Sequence, residues 1–410
     1  MNQSLTINGD RLLASLQALG ALGVLPGGGV CRLALTEQDR QGRDWTVRQM
    51  RELGLTVRVD AIGNVVGIMD GAQPGAPVMM GSHIDTVATG GLYDGNYGVL
   101  AGLEVIAALR DAGVTPRRPL AVAFFTNEEG SRFQPDMMGS LVYQGGLALD
   151  AALTTQGIDG VTVGDALRAI DYDGDAPVGC PQVDSYLELH IEQGPVLDQE
   201  GIDIGVVEGV QGICWTAFTL RGVANHAGTT PMRLRRDAGY VAARIAVFAR
   251  ELAQHLGGDQ VATVGHVTVT PNLVNVIPDT VELTVDLRNT DAQALNRAEQ
   301  QLLAFADELA TAEGVSLSAR SLARFEPISF DADMVALVES QARALGLSTR
   351  RMPSGAGHDA QILARVCPAA MIFVPSVDGL SHNIREFTAA ADLVAGANVL
   401  LRAVLQRTQR

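Results

Sequence analysis

The stretch ICWTAFTLR (Ile213–Arg221) reads as a β-strand, and the elements after it decide how the 410-residue chain is organised. A helix over Arg235–Leu256, strands over Val261–Thr270 and Thr280–Arg288, a helix over Ala292–Glu313 and a strand over Ser316–Ala323 spell βαββαβ, the ferredoxin-like order. Outside this stretch the pattern differs. Before it, after helical stretches at Gly9–Leu22 and Glu37–Leu53, come β-rich runs at Thr56–Val59, Val65–Met69 and Val78–Ile84 and a helix over Gly98–Ala112. The strands Leu120–Phe125 and Ser185–Ile191 continue the alternation expected of an α/β sheet covered on both faces. Beyond it, helices over Ala332–Leu345, Gln361–Val366 and Ala390–Arg407 accompany the strand Ala369–Val374. The expected organisation is one α/β domain, residues 1–211 and 330–410, interrupted by an inserted βαββαβ domain, residues 212–329.

Composition narrows the chemistry. Apolar residues make up 47% of the chain and charged residues 19%, as in folded globular proteins. No window approaches the ~18 uninterrupted apolar residues of a membrane span, and Met1–Asp10 lacks a basic segment leading into an apolar one, so a cytoplasmic protein with no membrane partner is expected. A net charge of -16 repels phosphate backbones and argues against nucleic acid. Cys31, Cys180, Cys214 and Cys367 form no CxxC pair and read as free thiols. All thirty basic residues are Arg. Without Lys, a Walker A loop, a pyridoxal Schiff base and a Lys-bridged binuclear centre cannot be built.

Seven histidines remain, and their positions carry most of the functional signal. In GSHIDT (Gly81–Thr86), alternation along a strand puts His83 and Asp85 on one face, where Asp85 can orient a ligating imidazole; a core His satisfied by an Asp is the alternative. GGLYDGNYG (Gly90–Gly98) sets Asp94 just before a helix, a place an acid also takes for the helix dipole alone. TNEEG (Thr126–Gly130) sends Glu128 and Glu129 out of the C-terminal end of a strand, where ligands of open α/β sheets gather. Adjacent carboxylates repel unless a cation or shared proton offsets them, so one metal ligand beside one general base accounts for both; a solvated acidic turn also would. ELHIEQGP (Glu188–Pro195) ends a strand with Glu188, His190 and Glu192 on one face, and Ser381-His382-Asn383 follows the last strand. Together, His83, Asp94, Glu129, His190 and His382 point to a metal site. Mixed imidazole and carboxylate donors suit Zn, Mn, Co or Ni, and if one carboxylate bridges, five side chains can hold two divalent ions.

These motifs, with NHAGTTPM (Asn225–Met232), NVIP (Asn275–Pro278), DLRN (Asp286–Asn289) and SGAGHDA (Ser354–Ala360), resemble those of the M20 peptidase clan. Within it they are similar to the hydantoinase/carbamoylase amidases: N-carbamoyl-L-amino acid hydrolases, allantoate amidohydrolases and β-ureidopropionases. The resemblance implies a mixed-sheet, zinc-peptidase-like catalytic domain whose ferredoxin-like insertion acts as lid and homodimerisation domain. It implies that Asp94 bridges two ions, one also held by His83 and His190, the other by Glu129 and His382, with Asp85 behind them. Glu128 would be the general base and His226 an oxyanion donor from the neighbouring subunit. Substrates of this branch carry a carboxylate; Arg288, at a strand end, suits a bidentate pair with it, although by itself it reads as a surface residue. Gln193, Asn275, Gly357 and His358 resemble the other substrate contacts, and Met137–Ser140 a side-chain pocket. His190 stands where peptidases of the clan carry an acid, which favours the carbamoyl branch. The expected reaction converts N-carbamoyl-L-amino acids to amino acid, carbon dioxide and ammonia. Allantoate and N-carbamoyl-β-alanine hydrolysis are the near alternatives; a dipeptidase or aminoacylase, or a non-catalytic metal-binding dimer, are more distant ones. Closure is expected about hinges near Val210–Gly212 and Phe325–Phe330. His255 and His266 match no motif and read as helix-end and strand residues.

Overall fold

The computed structural model describes residues 5–409, so the first four residues of the N-terminal stretch considered for an export signal lie outside it. The chain divides into two compact units, one formed by the residues up to Gly209 and from Ser329 onward, the other by Val210–Ile328. In chain order the strands are β1 (Thr56–Val59), β2 (Val65–Met69), β3 (Val78–His83), β4 (Leu120–Phe125), β5 (Ser185–Ile191), β6 (Ile204–Val210), β7 (Gly212–Arg221) and β8 (Asn225–His226). They continue as β9 (Val261–Thr270), β10 (Val276–Ile277), β11 (Thr280–Asn289), β12 (Ser316–Phe325), β13 (Ile328–Ser329), β14 (Thr349–Ser354) and β15 (Ala369–Val374).

The larger sheet runs β1-β2-β4-β3-β5-β15-β6-β13, with β14 joining β6. β3 pairs in parallel with β4 and β5, and β15 in parallel with β5; β1–β2, β2–β4 and β6–β15 are antiparallel. Every residue of β3, β4, β5 and β15 is buried. Unbroken burial, instead of alternation, is what a sheet covered on both faces produces. The helix Asn96–Asp111 is one of the covering elements: it is buried without interruption from Asn96 to Leu109 and packs against β3 and the helices Gly9–Gly20 and Ala390–Thr408. Each fully buried Val, Leu or Ile on it contributes about 1.5–3 kcal/mol. Because β3, β4, β5 and β15 share one direction, their C-terminal ends meet along a single edge of the sheet.

Besides the two-residue β13, two strands of this sheet, β6 and β14, have no counterpart in the sequence reading. The first carries Gly205 and Gly209, and the second Arg350, Arg351 and Pro353, residues that weaken a strand pattern and are tolerated near an edge.

The smaller unit has the antiparallel order β12-β7-β11-β9, which is 4-1-3-2 when its four long strands are numbered in sequence. This is the ferredoxin-like arrangement expected from the βαββαβ pattern. Burial alternates along β7 and β11, and the helices Ala238–Leu256 and Ala292–Ala312 pack on the apolar face. Phe218, Leu220, Leu283 and Leu287 meet Ile245, Leu252 and Leu302 there, and the rings of Phe248 and Phe305 stack 3.9 Å apart. The first helix begins at Ala238, three residues later than its pattern suggests, because the Asp237 carboxylate caps it by accepting from the Tyr240 N–H at 3.0 Å. A two-stranded ribbon, β8 with β10, sets His226 opposite Val276.

Candidate metal centre

The edge where the parallel strands end collects five side chains from distant parts of the chain. His83 closes β3, His190 lies one residue before the end of β5, Glu129 follows β4, Asp94 precedes the helix Asn96–Asp111, and His382 sits in the loop after β15. One Asp94 oxygen, Oδ1, lies 3.2 Å from His190 Nε2 and 3.7 Å from His83 Nε2. The other, Oδ2, lies 3.5 Å from His382 Nε2, which is itself 3.3 Å from Glu129 Oε2. The donor atoms of His83, Asp94 and His190 all fall within 4.8 Å of one another, as do those of Asp94, Glu129 and His382.

This arrangement fits divalent metal. Two donors each about 2.1 Å from one tetrahedral ion lie about 3.4 Å apart, close to the spacings found. Glu129 Oε1 is buried with no hydrogen-bond partner, a costly state for a carboxylate that coordination would relieve. Both buried imidazoles are turned for ligation. His83 Nδ1 donates to the Asp85 carbonyl at 2.9 Å and His190 Nδ1 to the Ile191 carbonyl at 2.8 Å, which leaves each Nε2 facing the carboxylates.

The loop sequence has to allow this convergence. Gly95 adopts φ +65°, and a Cβ there would stand 2.4 Å from the His83 ring, so only glycine fits both the backbone and the space.

Electrostatics follow from burial and neighbours. Burial alone would raise the Asp94 pKa, but its hydrogen bond to His190 and the nearby imidazoles hold it well below the usual carboxylate range. Burial would lower His190, yet Asp94 and Glu188 push it up to about 9. Glu129 pushes His382 up to about 9. Glu128, 3.4 Å from His83 Nε2, is pushed well above its ordinary value by burial and then by Asp359, Glu129, Asp85 and Asp94.

Asp85 does a different job from the one expected. β3 ends at His83, so strict alternation lapses, and the backbone carbonyl of Asp85, not its carboxylate, orients the imidazole. The carboxylate instead accepts from the N–H groups of Glu128 at 3.2 Å and Glu129 at 3.3 Å, fixing the turn that presents both acids. Glu192, expected on the same face as Glu188 and His190, lies beyond β5 and accepts from Val196 and Leu197 at the start of the next helix. Glu188 braces the sheet edge, accepting from Ser82 Oγ at 2.6 Å and the Ala360 N–H at 2.8 Å.

Of the expected substrate contacts in the larger unit, Gln193 donates to Asp94 Oδ2 at 3.0 Å and Gly357 is half-buried. His358 is 1% exposed, with its ring edge-on to His190 at 4.6 Å and Nε2 on Ser354 Oγ at 2.9 Å. In this geometry its ring packs against that of His190. The other expected residues belong to the smaller unit. His226 is exposed, and its Nδ1 accepts from the N–H groups of Gly228 at 3.0 Å and Thr229 at 3.2 Å, which places the proton of the neutral ring on Nε2. Asn275 is exposed and its carbonyl accepts from Ala227 at 2.9 Å. Arg288 directs Nη2 to Asp286 at 2.9 Å on its own strand.

Sequence reading missed Glu386. Buried and pushed up to about 8 by that burial, it accepts from the N–H groups of Tyr93 at 3.0 Å and Asp94 at 3.2 Å and so holds the Asp94 loop. Its local signal is no more than an acid between Arg385 and Phe387, three residues after Asn383.

The family comparison matches this geometry. The profile of peptidase family M20/M25/M40 matches residues 79–406. The chain belongs to the M20 peptidase family, in its hydantoinase/carbamoylase amidase branch, and is a metal-dependent amidohydrolase of that family. It is 39% identical to the N-carbamoyl-L-amino acid amidohydrolase of Geobacillus stearothermophilus, over 98% of this chain and 99% of that protein. It is 37% identical to the allantoate amidohydrolase of Escherichia coli K12, over 94% and 95%. The crystal structure of a hydantoinase/carbamoylase family amidase from Burkholderia multivorans superposes with a TM-score of 0.97 at 43% identity, covering 99% of each chain.

Proposed function

We propose that this protein hydrolyses the carbamoyl C–N bond of N-carbamoyl-L-amino acids, releasing the L-amino acid, carbon dioxide and ammonia. The observation that carries this reading is one carboxylate, Asp94, shared between two donor triads, with Glu128 beside them at the same sheet edge. The likeness to an N-carbamoyl-L-amino acid amidohydrolase along nearly the whole chain supports the choice of substrate. The 37% identity to an allantoate amidohydrolase favours allantoate as the second reading, with N-carbamoyl-β-alanine the remaining member of the branch.

His83, His190 and Asp94 would hold one divalent ion, and Asp94, Glu129 and His382 a second, with Zn, Mn, Co or Ni all suited to the donors. Bound ions would supply Lewis acidity to the carbamoyl oxygen and acidify water. Glu128 takes the proton of the attacking water and returns it to the leaving nitrogen. In the metal-free protein its buried place among other acids favours the protonated form; bound cations beside it would favour the carboxylate that accepts the water's proton. His226, with its proton on Nε2, is the donor for the developing oxyanion. Arg288 receives the substrate carboxylate as a bidentate partner, in competition with Asp286, and Gln193, Asn275 and the Gly357 backbone complete the contacts. A homodimer formed through the inserted unit is part of the same reading. It is supported by the exposed apolar side chains of Met232, Leu234, Leu273 and Val274 in the loops flanking the β8–β10 ribbon.

Ammonia release from N-carbamoyl-L-amino acids, N-carbamoyl-β-alanine and allantoate, each with added Zn, Mn, Co or Ni, tests the assignment. Ammonia and amino acid in equal amounts from the first group are expected. Ammonia from allantoate alone, or cleavage only of dipeptides, overturns it.

A further inference from the structure

Behind the buried ligands lies a cation that the proposed chemistry does not use. Arg32 is fully buried, and among the described residues none of its hydrogen-bond partners is a carboxylate. Its Nε donates to the Ile84 carbonyl at 2.7 Å and its Nη2 to Asn96 Oδ1 at 2.7 Å. Its Nη1 donates to the carbonyls of Leu19 at 3.0 Å and Leu22 at 2.7 Å. Its backbone is also tied in, since Arg32 N donates to Thr86 Oγ1 at 2.8 Å and Thr86 N donates to the Arg32 carbonyl at 2.9 Å.

These partners are specific places. Ile84 follows His83 directly, and Asn96 opens the helix two residues after Asp94. Asn96 in turn donates from Nδ2 to the Leu92 carbonyl at 3.2 Å, on the far side of Asp94. One rigid guanidinium therefore spans the strand end that carries His83 and the loop that carries Asp94. The chain reserves room for it, because a Cβ on Gly42 would stand 2.8 Å from Arg32 Cδ.

A buried cation without a carboxylate partner is expensive, and the cost is visible as a tendency of burial to draw the Arg32 proton off more easily than usual. The planar fork meanwhile reaches acceptors on three separate segments. A Lys ammonium, radiating three donors from one atom, cannot reach acceptors on three separate segments.

We propose that Arg32 is a positioning residue for His83 and Asp94 within the buried ligand set they form with His190. It sets the spacing between the segment bearing His83 and the segment bearing Asp94, and through that spacing the affinity for the divalent ion held between them. The proposal rests on the assignment of those three residues as metal ligands.

The test is a Zn titration of the metal-free full-length protein against a competing chromophoric chelator, without substrate. The variants are Arg32→Lys, Arg32→Met, His83→Ala and, as a destabilised control in the core of the smaller unit, which carries none of the ligands, Leu302→Ala. A role in charge alone predicts tighter Zn binding when the cation is removed in Arg32→Met and no change in Arg32→Lys. Positioning predicts the opposite sign: both variants bind Zn at least about tenfold more weakly, as losses of groups supporting a metal ligand do, while Leu302→Ala melts lower and binds Zn as the wild type does. Wild-type or tighter affinity in Arg32→Lys overturns the proposal, whatever Arg32→Met does. Equal weakening in Leu302→Ala also overturns it, since general loosening would then explain the effect. If His83→Ala binds as much Zn as wild type with the same affinity, the ligand assignment itself has failed, a result separate from any effect at Arg32.

Discussion

The two sides of Asp94 use similar donors but are held in opposite ways. Facing Oδ1, His83 and His190 grow from the ends of β3 and β5, each is 1% exposed, and each ring is locked by a backbone carbonyl. Facing Oδ2, Glu129 and His382 come from loops. The His382 side chain is 51% exposed, and its backbone adopts φ 53°, a left-handed conformation that costs a non-glycine residue roughly 1–2 kcal/mol. Strand ends produce a closed ligand set with little freedom, and loops produce one that solvent reaches and that can adjust. The closed set is braced by buried groups such as Arg32 and His358, whereas in the open set Asp85 braces Glu129 and His382 is left to its own loop conformation.

The largest effect expected is the one that would abolish the comparison. Because Asp94 serves both sides, Asp94→Asn should weaken both metal affinities by more than about a hundredfold, beyond the loss typical of a supporting residue. Metal content after dialysis at fixed free Zn reports this directly; one ion retained at full affinity would show that Asp94 is not shared. Next in size, Glu128→Gln should leave both sides loaded while lowering kcat by about 10²- to 10⁴-fold, the range typical of a positioned acid–base group. A near wild-type rate in that variant would remove Glu128 from proton transfer.

The smallest effect separates the two sides by pH. His190 and His382 are both raised to about 9 in the metal-free protein, the first because the hydrogen bond and charge of Asp94 outweigh burial, the second through Glu129. A raised imidazole contributes stability that is complete below its ordinary value of 6.5 and is lost as the pH climbs through about 9. Metal requires the neutral ring, so binding in that window releases protons, and affinity should rise about tenfold per pH unit for each proton displaced, then level off. Calorimetry in buffers of different ionisation enthalpy counts those protons. His382→Asn should remove the proton belonging to the open side and leave that of His190. Affinity independent of pH between 6.5 and 9 would show that neither imidazole is held protonated in the metal-free protein.

Much of this molecule is legible in the chain itself. The change of pattern at Gly212 announces the βαββαβ unit, and the antiparallel order β12-β7-β11-β9 agrees with it. The residues His83, Asp94, Glu129, His190 and His382 stand out by their places at strand ends, and the fold does bring them to one edge. The mutual satisfaction of buried polar groups is not legible in this way. Glu386 acts on Asp94 from 292 positions away, and Glu188 takes a hydrogen bond from Ser82 at a separation of 106. Asp85 shows the limit of local rules: alternation holds only while the strand lasts, and just past its end the carboxylate is free to serve Glu128 and Glu129.

By itself the amino-acid sequence determined the kinds of donor available, the absence of Lys chemistry and the two rhythms of apolar residues that separate the units. Periodicity and composition are local quantities, carried by neighbouring residues whatever the rest of the chain does. Only the tertiary structure decided which oxygen of Asp94 faces which imidazole, which of the thirty arginines is buried behind the ligands, and which ligand set is closed. Those outcomes depend on pairing every buried donor and acceptor at once, a condition imposed between residues far apart in the chain.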